Sequence, residues 1–364
     1  VIMMKVLMIG PIEKAGGVST HTKELTRALR KLGVNVEVYN ISPDKEYSLP
    51  ISALIKLYKR TLGLSFKLLK DSKKFDVIHI QSSGPIGGFL PAIVGALWKK
   101  LLGFKLIVTF HYRPDKRFIQ KWRWVFNFVL SNSDRLFVVS QQQRDNIKHI
   151  FEDENVRKVL VIQNGFNSSL FNPVDKFEAR KILGLPSDKR VILNVANLVP
   201  VKGHEFLIRA FSKVVKERKD VLLIIVGDGS ERKKLERLIS ELGLENYIKL
   251  VGSKPHDEIP LWMNAADIFV LPSLSEGNPT VMFEALGVGL PFVGTAVGGV
   301  PEIITSGDYG LLCPPADPEC LGEKILIALD KEWDREKIRE YAEQFTWEEI
   351  AEKILGVYYE VFKN

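Results

Sequence analysis

The sequence predicts an α/β protein of two doubly wound halves, each a parallel sheet with helices on both faces, and three observations predict it. Its 364 residues exceed the roughly 100–200 residues of an ordinary single domain. Short, near-continuous runs of Val, Ile and Leu alternate with amphipathic segments, as expected of parallel strands buried on both faces. The alternation occurs twice, on either side of a polar stretch at 164–173, NGFNSSLFNP, which is dense in turn formers.

In the first half the apolar runs place strands at residues 5–10, 34–40, 76–80, 105–110, 135–139 and 158–162. Helical patterns start between them near Val18, Ile51, Pro85, Phe118 and Gln141. The second half repeats the order, with strands at 191–195, 222–226, 248–251, 268–271, 291–294 and 310–313. Only helical periodicity follows, at 321–330, 334–344 and 346–363. The last of these carries Trp347, Ile350, Ile354, Tyr358 and Val361 at spacings of three or four, and its length suits a return to the first domain. The expected units are therefore residues 1–165, 166–345 and a crossover helix at 346–364. Two Rossmann-like domains of this kind would face each other across a cleft at the carboxyl ends of both sheets, where a nucleotide would sit.

Composition narrows the function. With 46% hydrophobic and 26% charged residues the chain builds a large core and is not disordered. Its two cysteines, Cys313 and Cys320, and the lack of metal-type Cys/His spacing argue against a disulfide scaffold and a zinc module. The longest stretch without a charge, 77–98, holds two prolines and four glycines, so it reads as strand, loop and helix rather than a membrane span. Glu13 and a glycine pair stand where a leader would need its apolar run, and the expected location is the cytoplasm. The net charge of +7 divides unevenly: residues 1–165 hold 27 Lys/Arg against 13 Asp/Glu, a net +14, and the remainder carries a net −7. Most of the excess lies in residues 50–123, with 15 basic residues against Asp71, Asp76 and Asp115. Such a flank attracts membrane headgroups or nucleic acid.

Residues 275–285, SEGNPTVMFEA, carry the most chemistry. They join a strand to a helix, so Asn278, Thr280 and Val281 sit at a helix N-terminus whose free N–H groups suit a phosphate. Glu276 precedes the helix and Glu284 lies within it. Taken alone, the pair reads more readily as a cap and an exposed helix carboxylate.

The surrounding sequence resembles the retaining glycosyltransferases of family 4, which have the GT-B fold. Their pattern is matched by Glu276 and Glu284 with seven residues between, then Gly289-Leu290-Pro291 and Gly298-Gly299-Val300-Pro301-Glu302. Gly16-Gly17 resembles the family's glycine-rich loop, His111 its cleft histidine, and Asn164-Gly165 its hinge, with Gln163 in place of Pro. Val199-Pro200-Val201-Lys202-Gly203 and Gly227-Asp228-Gly229 are similar to its two phosphate-side loops.

The resemblance implies that Lys202 reaches a leaving diphosphate, Glu276 holds donor-sugar hydroxyls, Glu284 accepts from ribose hydroxyls and His111 bonds the donor sugar. Gly16 and Gly17 would allow close backbone approach to the diphosphate or the acceptor, Gly227 would pack around the nucleotide, and Gly252, Ser253 and Lys254 would flank the nucleobase. Five residues before the lysine the family usually has Arg; Asn197 stands there and carries no charge. The clamp is weaker at that point, or another cation substitutes. No Asp-x-Asp pair occurs, so Lys202 and the helix N-terminus are expected to stabilise the departing charge without a metal or other cofactor.

Residues 51–75 place Ile51, Leu54, Ile55, Tyr58, Leu62, Phe66 and Leu69 on one helical face and Lys56, Lys59, Arg60, Lys67, Lys70 and Lys74 mostly on the other. Residues 118–130 add Trp122, Trp124, Phe126 and Phe128. This is the pattern of interfacial helices, and equally of core-packed helices with solvated basic faces. The expected function is retaining, metal-independent transfer from a nucleotide-diphosphate sugar to a hydroxyl of a glycan or lipid-linked acceptor, with an anionic membrane surface as a further partner at the inner face of the cell membrane. The rivals are a GT-B nucleotide-sugar 2-epimerase and a non-catalytic nucleic-acid-binding protein; the latter explains neither glutamate, and nucleic acid is not an expected partner.

Overall fold

The computed structural model describes residues 4–12, 16–45, 47–84, 86–112, 116–151 and 154–363; Glu13, Pro85 and Asp115, used above, lie outside them. The chain forms two compact units, residues 1–165 with 347–364 and residues 166–346.

The first unit holds six parallel strands, β1 (Lys5–Gly10), β2 (Asn35–Asn40), β3 (Val77–Ser82), β4 (Leu106–Phe110), β5 (Arg135–Val138) and β6 (Val159–Val161), in the order β2-β1-β3-β4-β5-β6. The order reverses at β1, so the first crossover runs one way and the rest the other. Strands β3 and β4 are buried along their whole length; β4 is apolar but for Thr109, whereas β3 buries His79, Gln81 and Ser82 among its apolar residues. Asp76 falls just outside β3, where its carboxylate accepts the Lys5 backbone N–H at 2.7 Å. Phe89, Phe110 and Phe126 pack on one face of the sheet with Ile78 and Val108. The other face is covered by helix Gly17–Lys31 and by the C-terminal helix Trp347–Lys363, whose Trp347, Ile350, Ile354, Tyr358 and Val361 pack with Val6, Met8, Leu25 and Phe137.

The second unit holds β7 (Arg190–Val195), β8 (Val221–Val226), β9 (Ile248–Gly252), β10 (Ile268–Leu271), β11 (Phe292–Thr295) and β12 (Gly310–Cys313), in the order β12-β11-β10-β7-β8-β9, all parallel. Its reversal falls between β7 and β10, which puts the loops after those two strands at the point where open α/β sheets bind ligands. The unit ends at Thr346, one residue beyond the expected 345, because Thr346 pairs with Phe166 in a parallel bridge.

Two long helical readings are corrected. Residues 51–75 form two helices, Leu49–Arg60 and Leu62–Asp71, broken at Thr61 with φ −123° and ψ −89°. The Thr61 hydroxyl donates to the Leu57 carbonyl at 2.6 Å, a local bond that competes with the helical ladder. Residues 118–130 likewise divide at Trp122 into helices Lys116–Lys121 and Arg123–Ser131. Phe126 is in the core, whereas Trp124 is 73% exposed.

Candidate active site

Three loops of the second unit meet at the carboxyl ends of β7, β10 and β11. Leu274 N–H donates to the Val201 carbonyl at 2.8 Å, and Gly299 N–H donates to the Gly277 carbonyl at 2.7 Å. Two glycines permit this closeness. Gly203 has φ +69°, and a Cβ there would lie 2.1 Å from the Pro272 carbonyl oxygen; at Gly298, φ +57°, it would lie 2.0 Å from the Glu276 carbonyl oxygen. Any side chain would force the loops apart.

The closeness brings Lys202 to Glu276. Lys202 Nζ donates to Glu276 Oε1 at 2.6 Å, and Ser273 Oγ donates to the same oxygen at 2.6 Å. The carboxylate is nearly buried and the ammonium a quarter exposed, so the cation faces open space while its partner is held from behind. Both bonds fall on Oε1, so Oε2 remains as an acceptor for hydroxyls.

His204 follows Lys202 at the head of helix His204–Glu217. Its Nε2 donates to Asn194 Oδ1 at 3.1 Å, and Asn194 Nδ2 donates across to the Val270 carbonyl at 2.9 Å, tying β7 to β10 beneath the loops. Burial, reinforced by the Lys202 charge, lowers the His204 pKa to about 4, so this ring is neutral near pH 7 and Lys202 carries the local charge.

Glu284 lies on helix Thr280–Gly287 and is almost wholly buried. Its Oε1 accepts from His256 Nε2 at 2.8 Å, and the His256 ring stands 5.3 Å from the Phe171 ring. The helix starts at Thr280 with Pro279 as its N-cap, so Thr280 and Val281 supply the first N–H groups and Asn278 precedes them in the loop. Asn197 is exposed; its loop is bound to the next one by Leu198 N–H to the Asp228 carbonyl at 2.9 Å. At Gly227 a Cβ would sit 1.9 Å from the Ala196 carbonyl oxygen. Gly252 N-terminally borders Ser253, which is exposed, and Lys254, whose Nζ lies 5.7 Å from the centre of the Trp262 ring. The nearby Arg232 guanidinium is engaged by Glu236 at 2.8 Å.

Gly16, Gly17 and His111 belong to the first unit. Gly16 caps helix Gly17–Lys31 with φ +151°, and a Cβ on either glycine would meet no described residue within 4 Å. His111 follows β4, and its Nε2 donates to Gln81 Oε1 at 2.7 Å. Gln81 Nε2 in turn donates to His79 Nε2 at 3.2 Å, and His79 Nδ1 donates to Tyr358 Oη at 2.6 Å. This relay leaves His111 Nδ1 as the ring's acceptor. Edge-on at 4.4 Å lies the ring of His21, whose Nδ1 is bonded to Asn164 Oδ1 at 3.0 Å. Burial pushes the pKa of His21 down to about 4 and that of His79 to about 3, and holds His111 well below the usual imidazole range, so all three are neutral near pH 7.

Sequence reasoning missed Ser273, His256, His204, His21, His79 and Gln81. The alternation of His79 and Gln81 along one strand was the available signal, since both side chains point to the same face. Among the described residues no group of three or more His, Cys, Asp or Glu is arranged to hold a metal ion. A cavity of about 610 Å³ beside helix Gly17–Lys31, lined by Lys23, Arg27, Arg30 and Val38, contains none of the candidate residues.

The model of glycosyl transferases group 1 matches residues 175–345, and that of glycosyltransferase family 4 matches residues 15–170. An uncharacterised glycosyltransferase of Methanocaldococcus jannaschii is 30% identical over 377 aligned residues, covering 99% of both chains. Among solved structures, sucrose-phosphate synthase from Thermosynechococcus elongatus superposes with a TM-score of 0.80 at 23% identity, over 99% of both chains. Anabaena HepE, solved in complex with UDP-glucose, gives 0.76 at 23% identity, over 98% of this chain and 100% of its own. These structural likenesses show the two-domain GT-B fold.

Proposed function

The chain belongs to glycosyltransferase family 4, and from that premise we propose that it moves a sugar from a nucleotide-diphosphate sugar to an acceptor hydroxyl with retention of the anomeric configuration. The observation that carries the reading is the Lys202–Glu276 contact at 2.6 Å. It sets a charge stabiliser beside an acceptor of hydroxyl bonds, at the loop pair where the second sheet reverses.

In the proposed step the bond from the anomeric carbon to the diphosphate oxygen breaks on the face where the acceptor oxygen bonds. The acceptor's proton passes to the departing phosphate, so charge and atoms balance without a covalent enzyme intermediate. Lys202 swings from Glu276 to the diphosphate, joined by the N–H groups of Thr280 and Val281 at the positive end of their helix. These fixed charges act without a metal ion. In the second unit Glu276 Oε2 holds sugar hydroxyls and Glu284 holds the ribose; in the first, neutral His111 offers Nδ1 as an acceptor for a sugar hydroxyl.

The second unit is the donor side in this reading, with Gly227, Gly252, Ser253 and Lys254 around the nucleotide and Asn197 as an uncharged diphosphate contact. The first unit serves the acceptor, a glycan or a lipid-linked molecule, and its Gly16 and Gly17 take the donor diphosphate or that acceptor. Thermal shift with UDP-, GDP- and ADP-sugars tests the donor, since a ligand at about 100 times its Kd stabilises by about 2.7 kcal/mol. Nucleoside diphosphate should then be released only when an acceptor is present, and equally with EDTA. Release that needs no acceptor, or needs a divalent ion, overturns the scheme.

A further inference from the structure

Helix Leu49–Arg60 buries only Ser52 and directs Leu49, Ile51, Leu54, Leu57 and Tyr58 to solvent, Leu49 at 89% exposure and Leu54 at 67%. An ordinary surface helix does the reverse. The next helix, Leu62–Asp71, is docked by Leu64 and Leu68 and leaves Leu62, Phe66 and Leu69 outward. Both pack on helix Ile86–Leu102, whose Leu97 and Leu101 are also exposed. Of the 19 large apolar side chains exposed among the described residues, 12 fall between Tyr47 and Trp124. Most of these lie on three helices that pack on one another, and exposed apolar side chains gathered in this way mark a docking surface.

The arm is firmly seated. Lys59 Nζ bonds the Ser42 carbonyl and Asp44, Arg60 Nη1 bonds the Gly87 carbonyl at 2.8 Å, and Lys67 bonds Asp71 at 2.8 Å. These cations are engaged within the unit. The acidic groups nearby are engaged as well: Asp71 by Lys67 and Lys74, Asp76 by the Lys5 backbone. Lys70 and Lys100 are exposed on the same helices, and Lys73 is exposed in the 3-10 turn Ser72–Lys74 that follows Leu62–Asp71.

We infer that the arm formed by Leu49–Arg60 and Leu62–Asp71 lies in the plane of an anionic lipid bilayer, with Leu49, Leu54, Leu57 and Phe66 in the acyl boundary and Lys70 and Lys73 at the phosphates. Twelve residues make a helix about 18 Å long, too short to cross a hydrocarbon core of about 30 Å, and among the described residues no helix is long and apolar enough to do so. An in-plane position uses both features, because apolar side chains and lysines then meet the two layers that suit them. A second copy of the chain suits the patch poorly: a two-fold contact through it would gather Lys70, Lys73 and Lys100 of both copies into one interface of like charge.

The inference stands apart from the donor-site reading, and only its consequence, delivery of sugar to an acceptor held in the membrane, rests on it. The test is co-sedimentation of the full chain with vesicles of equal parts phosphatidylcholine and phosphatidylglycerol, against phosphatidylcholine alone. Wild type should pellet with the mixed vesicles only and return to the supernatant in high salt. Leu54→Gln, Leu57→Gln and Phe66→Gln combined should lower binding by about tenfold per residue, and Lys70→Gln with Lys73→Gln by about fivefold each. Exposed helical sites tolerate Gln, so circular dichroism should be unchanged. Lys202→Ala should pellet like wild type, which separates failure of this inference from failure of the proposed chemistry. Wild type that stays in the supernatant, or a triple variant that pellets as wild type does, overturns the inference. So does a wild-type dimer in analytical ultracentrifugation that the triple variant converts to monomer, because the patch would then join two copies.

Discussion

At the scale of single residues the second unit separates two carboxylates by what surrounds them. Glu276 shares one oxygen between Lys202 and Ser273, while Glu284 accepts from His256. Lys202→Ala should therefore cut turnover by about 100-fold or more, the range for a preorganised charge stabiliser; a loss under threefold would remove it from the chemistry. Glu284→Gln should weaken nucleoside diphosphate and nucleotide sugar alike, whereas Glu276→Gln should mainly lower kcat and spare the diphosphate. Matching kinetic profiles would end that division. Exposed Asn197 has room for a longer side chain, and Asn197→Arg should tighten diphosphate binding, as isothermal calorimetry would report.

Elements decide how those residues are held. The relay from His111 through Gln81 and His79 ends on Tyr358, so a helix at the end of the chain orients a histidine at the end of β4. Tyr358→Phe leaves the His79 Nδ1–H without its acceptor in a site closed to water, and should destabilise by about 1–3 kcal/mol in urea denaturation. An unchanged midpoint would mean the relay does not bind the helix. In the second unit Gly298→Ala would force a Cβ against the Glu276 carbonyl at a left-handed φ. That should loosen the loop and cost turnover more than stability, since the sheet beneath is untouched.

For the whole molecule the buried histidines set a pH dependence. His21 and His79 in the first unit and His204 in the second have native pKa values of about 4, 3 and 4, below the ordinary 6.5, chiefly because burial disfavours their charged form. As pH falls below about 6.5 the unfolded chain takes up protons that the native rings refuse, so stability is retained above that pH and declines as the solution is acidified towards 4. For His204 alone the loss between pH 7 and pH 5 should be about 2 kcal/mol. Urea midpoints at the two pH values check it, and equal midpoints would mean that these rings can be protonated in the folded state. Further acid acts on Asp267. Burial alone would raise its pKa, but the Val191 N–H, Lys176 and Arg180 outweigh that and hold it below the carboxylate range, so its contribution is lost as pH falls through that lowered value.

The sequence by itself determined the twelve strands to within two residues at each end, because parallel strands covered on both faces are largely apolar, as β8 is throughout. It also singled out the loops that hold Lys202 and Glu276, which the structure brings within 2.6 Å of each other. Tertiary structure alone decided the rest. Periodicity showed that residues 51–75 have an apolar face, yet Leu64 and Leu68 went to the core while Leu54 and Phe66 stayed outside, because burial depends on which helix arrives to cover a face. Strand order brought Lys202 to a glutamate 74 residues away and His79 to a tyrosine 279 residues away. No local pattern encodes such pairs, since each is a property of how sheets and helices pack and not of the segment that carries the residue.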